Sequence, residues 1–216
     1  MGEISRHIRA ARLDDIETMQ AIERAAGRLF ADIGMDDVAT HAPPESTVLA
    51  SYVRDGRAWI AEADCEPRGY AITDVVDGRG HLEQVSVHPA YGRQGLGRML
   101  IQTVFEWAIG QGLSELTLLT FRDVPWNGPY YASLGFHPLP DEELPPELMA
   151  LRNHESDLGL DRDARFAMYV KLPAHTLPVR STARTTTLVS VHVPRYDRHN
   201  LDRPDDLARS GPLGEQ

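Results

Sequence analysis

The sequence has little cysteine, no long apolar run and no excess of positive charge, and each shortage excludes a class of protein. Cys65 is the only cysteine among the 216 residues, so no internal disulfide can form, which fits a reducing cytoplasm. No apolar stretch approaches the ~20 residues that a transmembrane helix needs, and the opening residues MGEISRHIRA lack the apolar core of a signal peptide. A formal net charge of −10 disfavours nucleic acid as a partner. We therefore expect a cytoplasmic protein that binds neither membranes nor nucleic acid.

The composition is that of a globular domain followed by a polar tail. A hydrophobic content of 42% and a charged content of 25% predict one α/β domain over residues 1–173. From Ala174 onward Pro, Thr, Arg and Asp dominate and the apolar periodicity is lost, so we expect residues 174–216 to be disordered, with room for one strand at 187–193. The histidines of this tail are too scattered to suggest a metal site, and we predict no metal.

Apolar periodicity and turn residues predict alternating helices and strands. Residues 30–44 are predicted to form a loop, and hairpin turns are expected at Glu66-Pro67 and at 77–80. Pro145-Pro146 pre-sets a helix start, so residues 141–163 are predicted to form an inserted helical segment. Strands are expected at 4–10, 57–63, 68–76, 81–87, 113–121, 136–139 and 164–172, and helices at 14–29, 46–54, 96–111 and 127–134. This order predicts an α/β domain with a mixed sheet.

The stretch from His81 to Met99 organises the rest of the chain, because a predicted strand runs through a glycine-rich loop into a predicted helix. The loop contains Gly92, Gly95 and Gly97. Such a loop turns free backbone N–H groups outward at the positive end of the helix dipole, which suits an anion such as a phosphate. The glycine spacing is not that of dinucleotide-binding folds, and no Lys-Ser or Lys-Thr follows as in nucleotide-triphosphate loops. On the glycines alone, a plain strand-to-helix turn stays an open alternative.

Two motifs in order resemble the signatures of the GCN5-related N-acetyltransferases (GNAT superfamily). The first is Val85-x-Val87-x-Pro89 followed by YGRQGLG at 91–97, and the second is NGPYYASLGF at 127–136. The resemblance covers roughly residues 4–172. It implies the GNAT fold, in which a central mixed, mostly antiparallel and twisted sheet is flanked by helices and splayed at the acyl-CoA site. It also implies that acetyl-CoA is the acyl donor.

The resemblance further implies which residues hold the donor. Backbone N–H groups from Arg93 to Arg98 would bind the pyrophosphate, and the two arginines would add positive charge. Backbone groups of Val85 and Val87 would bind the pantetheine arm where the sheet splays. Asn127 matches a cofactor-binding asparagine of the family, although an N-cap role is also open. The full set of expected donor-binding residues is Val85, Ser86, Val87, Gly92, Arg93, Gln94, Gly95, Leu96, Gly97, Arg98 and Asn127.

Tyr131 is the expected general acid. It matches the tyrosine that protonates the departing thiolate in many family members, and a phenol with a pKa of about 10 suits that task. Tyr130 is its competitor, because neighbouring residues of a helix point in different directions and only one of them can face the cleft.

The base that removes the amine proton is expected on strand 81–87. Strict alternation places His81 and Glu83 on the same face as Val85 and Val87. The resemblance favours Glu83 as the catalytic base, with His81 as a substrate-binding neighbour that suits a proton relay through water. Ordered water without either side chain is the alternative.

The resemblance implies direct transfer of an acetyl group from acetyl-CoA to a primary amine of a small molecule, with no covalent enzyme intermediate. Phe30, Asp32 and Met35 are the expected acceptor contacts in the 30–44 loop, a solvated acidic loop being the alternative. The inserted segment would cover the acceptor site or form a dimer contact, and a homodimer is common in the family. Other functions left open are a protein or peptide N-acetyltransferase and a non-catalytic acyl-CoA-binding regulatory module.

Overall fold

The computed structural model describes residues 5–160 and 164–173, in which helices pack on both faces of a seven-stranded sheet. The strands are β1 (Arg6–Ala10), β2 (Ala58–Ala63), β3 (Glu66–Val76), β4 (Arg79–Val87), β5 (Glu115–Phe121), β6 (His137–Leu139) and β7 (Arg165–Lys171). The helices are α1 (Ile16–Gly27), α2 (Asp36–Ala39), α3 (Ser46–Arg54), α4 (Leu96–Gly110), α5 (Gly128–Ser133) and α6 (Pro146–Asp157). The predicted α/β class is confirmed.

The sheet is mixed and mostly antiparallel, in the order β1-β2-β3-β4-β5-β7-β6. β4 and β5 are parallel, and their pairing extends only from Gly80–Leu116 to Leu82–Leu118. Beyond Leu82 the two strands separate, while β4 stays paired with β3 as far as Val87. The predicted splay of the sheet therefore lies where β4 runs toward the glycine loop.

Different helices cover the two faces of the sheet. On one face, which we call the α4 face, α4 packs Leu96, Leu100 and Val104 at helical spacing against the strands. On the opposite face α1 and α3 pack through side chains such as Met19 and Leu49. Each such buried leucine or methionine contributes about 1.5–3 kcal/mol relative to exposure. The core is therefore two apolar layers with the sheet between them.

β4 carries a β-bulge at Glu83. Ile72 of β3 pairs with Gln84, and the next β3 residue, Thr73, pairs with Leu82, so Glu83 is an extra residue on β4. An extra residue shifts the alternation of side chains along the strand by one position. The two ends of β4 therefore follow opposite alternations.

The bulge overturns the predicted faces of this strand. Leu82 joins Val85 and Val87 in the cluster of the α4 face, whereas His81 and Glu83 line a pocket on the opposite face. The prediction that His81 and Glu83 share a face with the two valines is wrong. The prediction that His81 and Glu83 share a face with each other is confirmed.

Two hairpin turns contain residues with left-handed backbone angles. Asp64 and Cys65 have φ of 53° and 64°, and Asp77 and Gly78 have φ of 50° and 72°. Paired positive φ values are typical of the two-residue turns that match the twist of a hairpin. The turn predicted around Asp77 is confirmed, whereas the turn predicted at Glu66-Pro67 lies two residues earlier because β3 already begins at Glu66.

The region predicted as a loop over 30–44 contains helical structure. A 3-10 helix covers Arg28–Ile33, and α2 follows after Gly34. These pieces are too short to produce a periodic apolar signal in the sequence.

α6 is attached to the sheet near both of its ends. The carboxylate of Asp77 accepts hydrogen bonds from the backbone N–H groups of Leu148 at 2.9 Å and Glu147 at 3.2 Å, and Glu147 Oε2 accepts from the Asp77 N–H at 3.0 Å. Near the other end, Glu155 accepts two hydrogen bonds of 2.7 Å from Arg165 of β7. The helix is thereby held on the face opposite α4.

Some sequence predictions concern residues outside the described ranges. These are the start of the first strand at Ile4, residues 161–163 of the inserted segment, and the whole tail from Ala174 with its expected strand at 187–193. Within residues 5–160 and 164–173, no helix has the length and hydropathy to cross a bilayer.

Candidate active site

The glycine loop and the first turn of α4 form one half of the site. Arg93 and Gly95 have left-handed φ values of 58° and 88°, a conformation that turns successive N–H groups into a concave, anion-binding surface. The first hydrogen bond of the helix runs from the Met99 N–H to the Gly95 carbonyl at 3.0 Å. The N–H groups between these two residues therefore precede the helical ladder and point toward its positive end.

The remaining expected donor-binding residues of this loop lie together with those two. Arg6 of β1 donates a hydrogen bond to the carbonyl of Gln94 and so ties the loop to the sheet. Arg93 is exposed and Arg98 is half-buried. The loop therefore presents backbone donors with two cationic side chains beside them. Gly92, Leu96 and Gly97 complete the expected set at this place.

The unpaired edge of β4 adjoins this loop. Among the described residues β5 offers no partner to β4 beyond Leu82. The side chains of Val85, Ser86 and Val87 are buried, so only their backbone groups are placed to bind a ligand in the gap between β4 and β5. The backbone role predicted for these residues fits this arrangement and stays a prediction.

Further positive charge lies at the end of β4, and the sequence motifs did not reveal it. His88 directly follows the strand, and its pKa is lowered by burial and by the nearby Arg68 and Arg28. The Arg68 guanidinium lies 4.4 Å from the centre of the Tyr91 ring. Arg28 and Arg68 come from elements far from the loop in sequence, so no local pattern identifies them.

Tyr130 and Tyr131 of α5 both pack into the cluster of the α4 face. Tyr131 is 1% exposed, and its ring centre lies 5.7 Å from that of Phe136. Burial raises the pKa of Tyr130 to about 12, against the opposing effect of Arg98. Arg98 is thus close to Tyr130, which places α5 beside the start of α4.

Asn127 precedes α5 and is buried, with 1% of its surface exposed. It occupies the N-cap position of α5, but its side chain forms no hydrogen bond to the start of the helix. The following Gly128 is required by close packing, because a Cβ atom there would lie 2.5 Å from the carbonyl oxygen of Arg122. The donor-binding role of Asn127 stays a prediction.

A pocket on the face opposite α4 forms the other half of the site. Its lining residues are His81, Glu83, Leu119, Leu151, His154 and Glu155. His81 lies within the last paired residues of β4 and β5, and Glu83 and Leu119 follow immediately after the strands separate. The pocket therefore lies at the base of the gap, on the side away from α4.

Three of these lining residues come from α6, and helical spacing in the sequence already groups Leu148, Leu151 and His154 or Glu155 on one face. Leu151, His154 and Glu155 follow helical spacing, which puts them on one side of α6. Helical spacing gives the shared side of α6, and the pocket shows that this side faces β4.

Phe30 does not belong to the pocket. Its side chain is fully buried in a cluster with Phe121 and Trp126, at ring-centre distances of 5.4 and 5.8 Å. The expected substrate contact at Phe30 is corrected to a core position, because the 3-10 helix turns this ring inward. Asp32 is exposed and Met35 packs beside the same cluster.

No group of three or more His, Cys, Asp or Glu residues within 5–160 and 164–173 is arranged to hold a metal ion. The titratable side chains that line the pocket are His81, Glu83, His154 and Glu155. Such an arrangement suits proton transfer at the base of the gap.

The splayed sheet places the chain among proteins with an acetyltransferase fold. The ribosomal-protein-S18-alanine N-acetyltransferase of Escherichia coli superposes with a TM-score of 0.55 at 20% identity, over 82% of this chain and 100% of that one. N-acetylglutamate synthase of Neisseria gonorrhoeae, solved with coenzyme A and N-acetyl-glutamate, superposes with a TM-score of 0.60 at 21% identity, over 80% and 36% of the two chains. At these identities the likeness is one of fold.

Sequence comparison gives the family. Residues 19–136, more than half of the chain, match the model of the Acetyltransferase (GNAT) family, and the chain belongs to this family. The resemblance inferred from the two motifs is thereby confirmed. The amino-acid acetyltransferase of Serratia proteamaculans is 37% identical over 76 residues, which are 35% of this chain and 16% of that relative. The matched region is thus a small part of that longer protein.

Proposed function

We propose that the chain is an acetyl-CoA-dependent N-acetyltransferase that transfers the acetyl group directly to a primary amine of a small molecule. The observation that carries this proposal is the gap between β4 and β5, because an anion-binding loop lies at its open end and the pocket with His81 and Glu83 lies at its base. Acetyl-CoA has a polyanionic part and a reactive thioester at opposite ends, which matches such a gap.

The residues present fit the donor. The backbone N–H groups that precede Met99, with Arg93 and Arg98 beside them, would bind the pyrophosphate. The free edge of β4 at Val85 and Val87 would hold the amide-rich arm by backbone hydrogen bonds. When bound, acetyl-CoA supplies an activated acyl carbon that an amine can attack.

The side chains then handle protons. One of the two pocket residues expected to take part, Glu83 or His81, takes a proton from the acceptor ammonium so that the nitrogen has a free electron pair. A backbone N–H of Val85 or Val87 polarises the acetyl carbonyl. Tyr131 donates its phenolic proton to the departing thiolate. Each of these roles is a local step of direct transfer, and no side chain has to carry the acetyl group.

The pocket favours a small cationic acceptor. Glu83 places a carboxylate on its wall, and a carboxylate attracts an ammonium group. The charge of Glu155 is already balanced by Arg165. The match to an amino-acid acetyltransferase supports an amino acid among the acceptors; polyamines, amino sugars and aromatic amines share the same reactive group. A protein or peptide amine is the second enzymatic candidate, and a non-catalytic acyl-CoA-binding module is the third.

We further propose that the protein acts in the cytoplasm, in keeping with its single cysteine. A homodimer, expected from the family resemblance, is proposed with it. Size-exclusion chromatography with light scattering measures the oligomeric state directly.

The test is release of free CoA thiol from acetyl-CoA in the presence of amino acids, polyamines, aminoglycosides, aromatic amines and short peptides. We expect release above background with one small-molecule class. Release with peptides alone would favour the second candidate. Calorimetric binding of acetyl-CoA without release by any acceptor would favour the non-catalytic module.

A matched pair of variants links this activity to the loop. Gly95→Ala and Gly56→Ala both place a side chain at a left-handed glycine, with φ of 88° and 67°, where a Cβ meets no atom within 4 Å. Both should therefore lose a similar amount of stability, about 1 kcal/mol. We expect Gly95→Ala alone to weaken acetyl-CoA binding, by about tenfold, because its strain distorts the N–H groups that face the anion. Equal acetyl-CoA affinities in the two variants would show that the glycine loop does not bind the donor.

A further inference from the structure

The Nδ1 atom of His81 has a hydrogen-bond partner that determines which ring nitrogen carries the proton. The side chain is 3% exposed and stands opposite Thr117 in the short parallel pairing of β4 and β5. His81 Nδ1 lies 2.9 Å from Thr117 Oγ1. The same Thr117 hydroxyl donates to the carbonyl oxygen of Gly80 at 3.1 Å. Thr117 is itself 1% exposed, so no bulk solvent competes for these bonds.

The tautomer of His81 follows from counting protons. A hydroxyl has one proton, and a carbonyl oxygen has none to give. The Thr117 proton is therefore committed to Gly80, and Thr117 Oγ1 must accept its second hydrogen bond from His81. The proton on the neutral imidazole is thus on Nδ1, and Nε2 carries the lone pair.

That lone pair belongs to a ring that lines the pocket. The charged or titratable side chains that face His81 there are Glu83 from β4 and His154 and Glu155 from α6, with Glu155 bound to Arg165 of β7. His81 stands at the base of the gap, where the acceptor nitrogen has to meet the acetyl group under the proposed function. An imidazole whose Nδ1 is already engaged can take a proton only at Nε2.

We propose that Thr117 is a positioning residue that keeps His81 in the Nδ1–H tautomer, and that Nε2 of His81, rather than Glu83, takes the proton of the acceptor ammonium, directly or through one water. This rests on the proposed function. The N–H bond of the ammonium breaks and its proton forms an N–H bond at Nε2. The freed electron pair forms the bond to the acetyl carbon as the carbon–sulfur bond breaks, and the thiolate takes the proton of Tyr131. The attacking nitrogen loses a second proton, which restores the Tyr131 phenol through solvent, and His81 returns its proton to solvent.

The assignment gives Thr117 a role that its sequence context does not suggest. Thr117 lies within the apolar strand ELTLLTF, where a threonine is an ordinary strand residue. Glu83 then remains as a carboxylate near the acceptor cation. A structural role for Thr117 would affect stability alone, so the test has to read the tautomer and the proton transfer.

The experiment compares three variants with the wild-type chain. Thr117→Val keeps the shape and removes the hydroxyl, and Thr117→Ser restores it. Thr73→Val is the control, because Thr73 is equally buried on β3 and its hydroxyl has no hydrogen-bond partner within the described part of the chain. Two-bond ¹H–¹⁵N spectra of histidine-labelled protein, with the His81 signals assigned from a His81→Gln variant, report the tautomer without any substrate. Steady-state kinetics across pH report the base.

We expect a protonated Nδ1 and an unprotonated Nε2 for neutral His81 in the wild type, in Thr117→Ser and in Thr73→Val, and loss of this pattern in Thr117→Val. We expect kcat to fall about tenfold or more in Thr117→Val, with a shifted pH profile, and to recover largely in Thr117→Ser. A wild-type His81 protonated on Nε2 would overturn the proposal. So would a Thr117→Val enzyme that loses the tautomer and keeps its kcat, since Nε2 would then not be the base. Failure of the proposed function would look different, because the wild type itself would release no CoA with any acceptor.

Discussion

At the scale of single residues, the adjacent tyrosines of α5 have different surroundings. Tyr130 lies near Arg98 at the start of α4, and burial raises its pKa to about 12. Tyr131 packs edge-on against Phe136 and is almost fully enclosed. The motif spacing predicts Tyr131 as the acid, whereas Tyr130 lies near the start of α4, next to the glycine loop.

Replacing Tyr131 with Phe should lower kcat by about ten- to a hundredfold, because it removes the proton donor for the thiolate while the ring keeps its packing. Acetyl-CoA affinity should change little. Initial-rate kinetics measure the first effect and isothermal calorimetry the second.

Tyr130→Phe is the matched control, since it removes a phenol from the neighbouring position of the same helix. We expect it to retain most of kcat. An unchanged rate in Tyr131→Phe, or a larger loss in Tyr130→Phe, would remove Tyr131 from the mechanism.

Predictions for single residues succeeded where a sequence motif determines the position of the residue. They failed where packing against distant parts of the chain determines it. The glycine loop and the proximity of His81 to Glu83 followed from local spacing. Phe30 was assigned to the acceptor site because its loop lies there in related folds, yet its ring is packed against Phe121 and Trp126. Those partners are far away in sequence, so burial of this ring leaves no local signal.

At the scale of elements, β4 shows why the alternation of apolar and polar residues along a strand is not enough to predict which side chains share a face of the sheet. The strand was predicted at nearly its observed position, and its alternating pattern gave no sign of an interruption. The bulge at Glu83 is set by the register with β3, which is a property of two strands together. Any prediction of which side chains share a face is therefore wrong on one side of the bulge.

The turn before β4 also holds the start of α6 through the carboxylate of Asp77. Removing that carboxylate tests this contact. Asp77→Gly keeps the left-handed backbone of the turn at no steric cost but deletes the acceptor for the first N–H groups of α6. We expect a loss of about 1 kcal/mol in the free energy of unfolding and faster amide exchange at Glu147 and Leu148. Denaturant unfolding and hydrogen exchange by NMR measure these changes.

Asp64→Gly is the control for this change. Asp64 occupies the equivalent position of the other two-residue turn, with φ of 53°, and is exposed. Its replacement should leave α6 and the overall stability nearly unchanged. Equal losses in the free energy of unfolding of the two variants would show that the change in the turn, and not the lost cap of α6, causes the destabilisation.

At the scale of the whole molecule, the order of the outer strands could not be deduced from the sequence. The α/β class, the mixed sheet and the order of elements along the chain followed from periodicity. The insertion of β7 between β5 and β6 depends on long-range pairing. Several orders of these strands fit the same local pattern.

The buried phenols predict how stability depends on alkaline pH. Burial raises the pKa of Tyr130 to about 12, and burial together with the neighbouring Glu23 raises the pKa of Tyr70. The unfolded chain ionises its tyrosines near pH 10, whereas the folded chain keeps these two neutral to higher pH. The stabilisation is therefore complete below about pH 10 and is lost as pH rises toward 12.

Thermal or denaturant unfolding followed between pH 8 and pH 12 should show this fall, with about 2 kcal/mol from Tyr130 at the upper end. Tyr130→Phe should make the decline shallower. A free energy of unfolding that stays constant up to pH 11.5 would contradict the assigned burial of both phenols.

The two attachments of α6 have a consequence for how the protein can change over generations. The helix supplies one wall of the pocket and is tied to the sheet by a turn aspartate at one end and an ion pair with Arg165 near the other, with Leu148 packed against the sheet. The glycine loop lies on different elements, beyond the opposite face of the sheet. Under the proposed function, we expect a chimaera in which the segment between these two attachments comes from another protein to keep its affinity for acetyl-CoA. Its specificity for the acceptor amine should change.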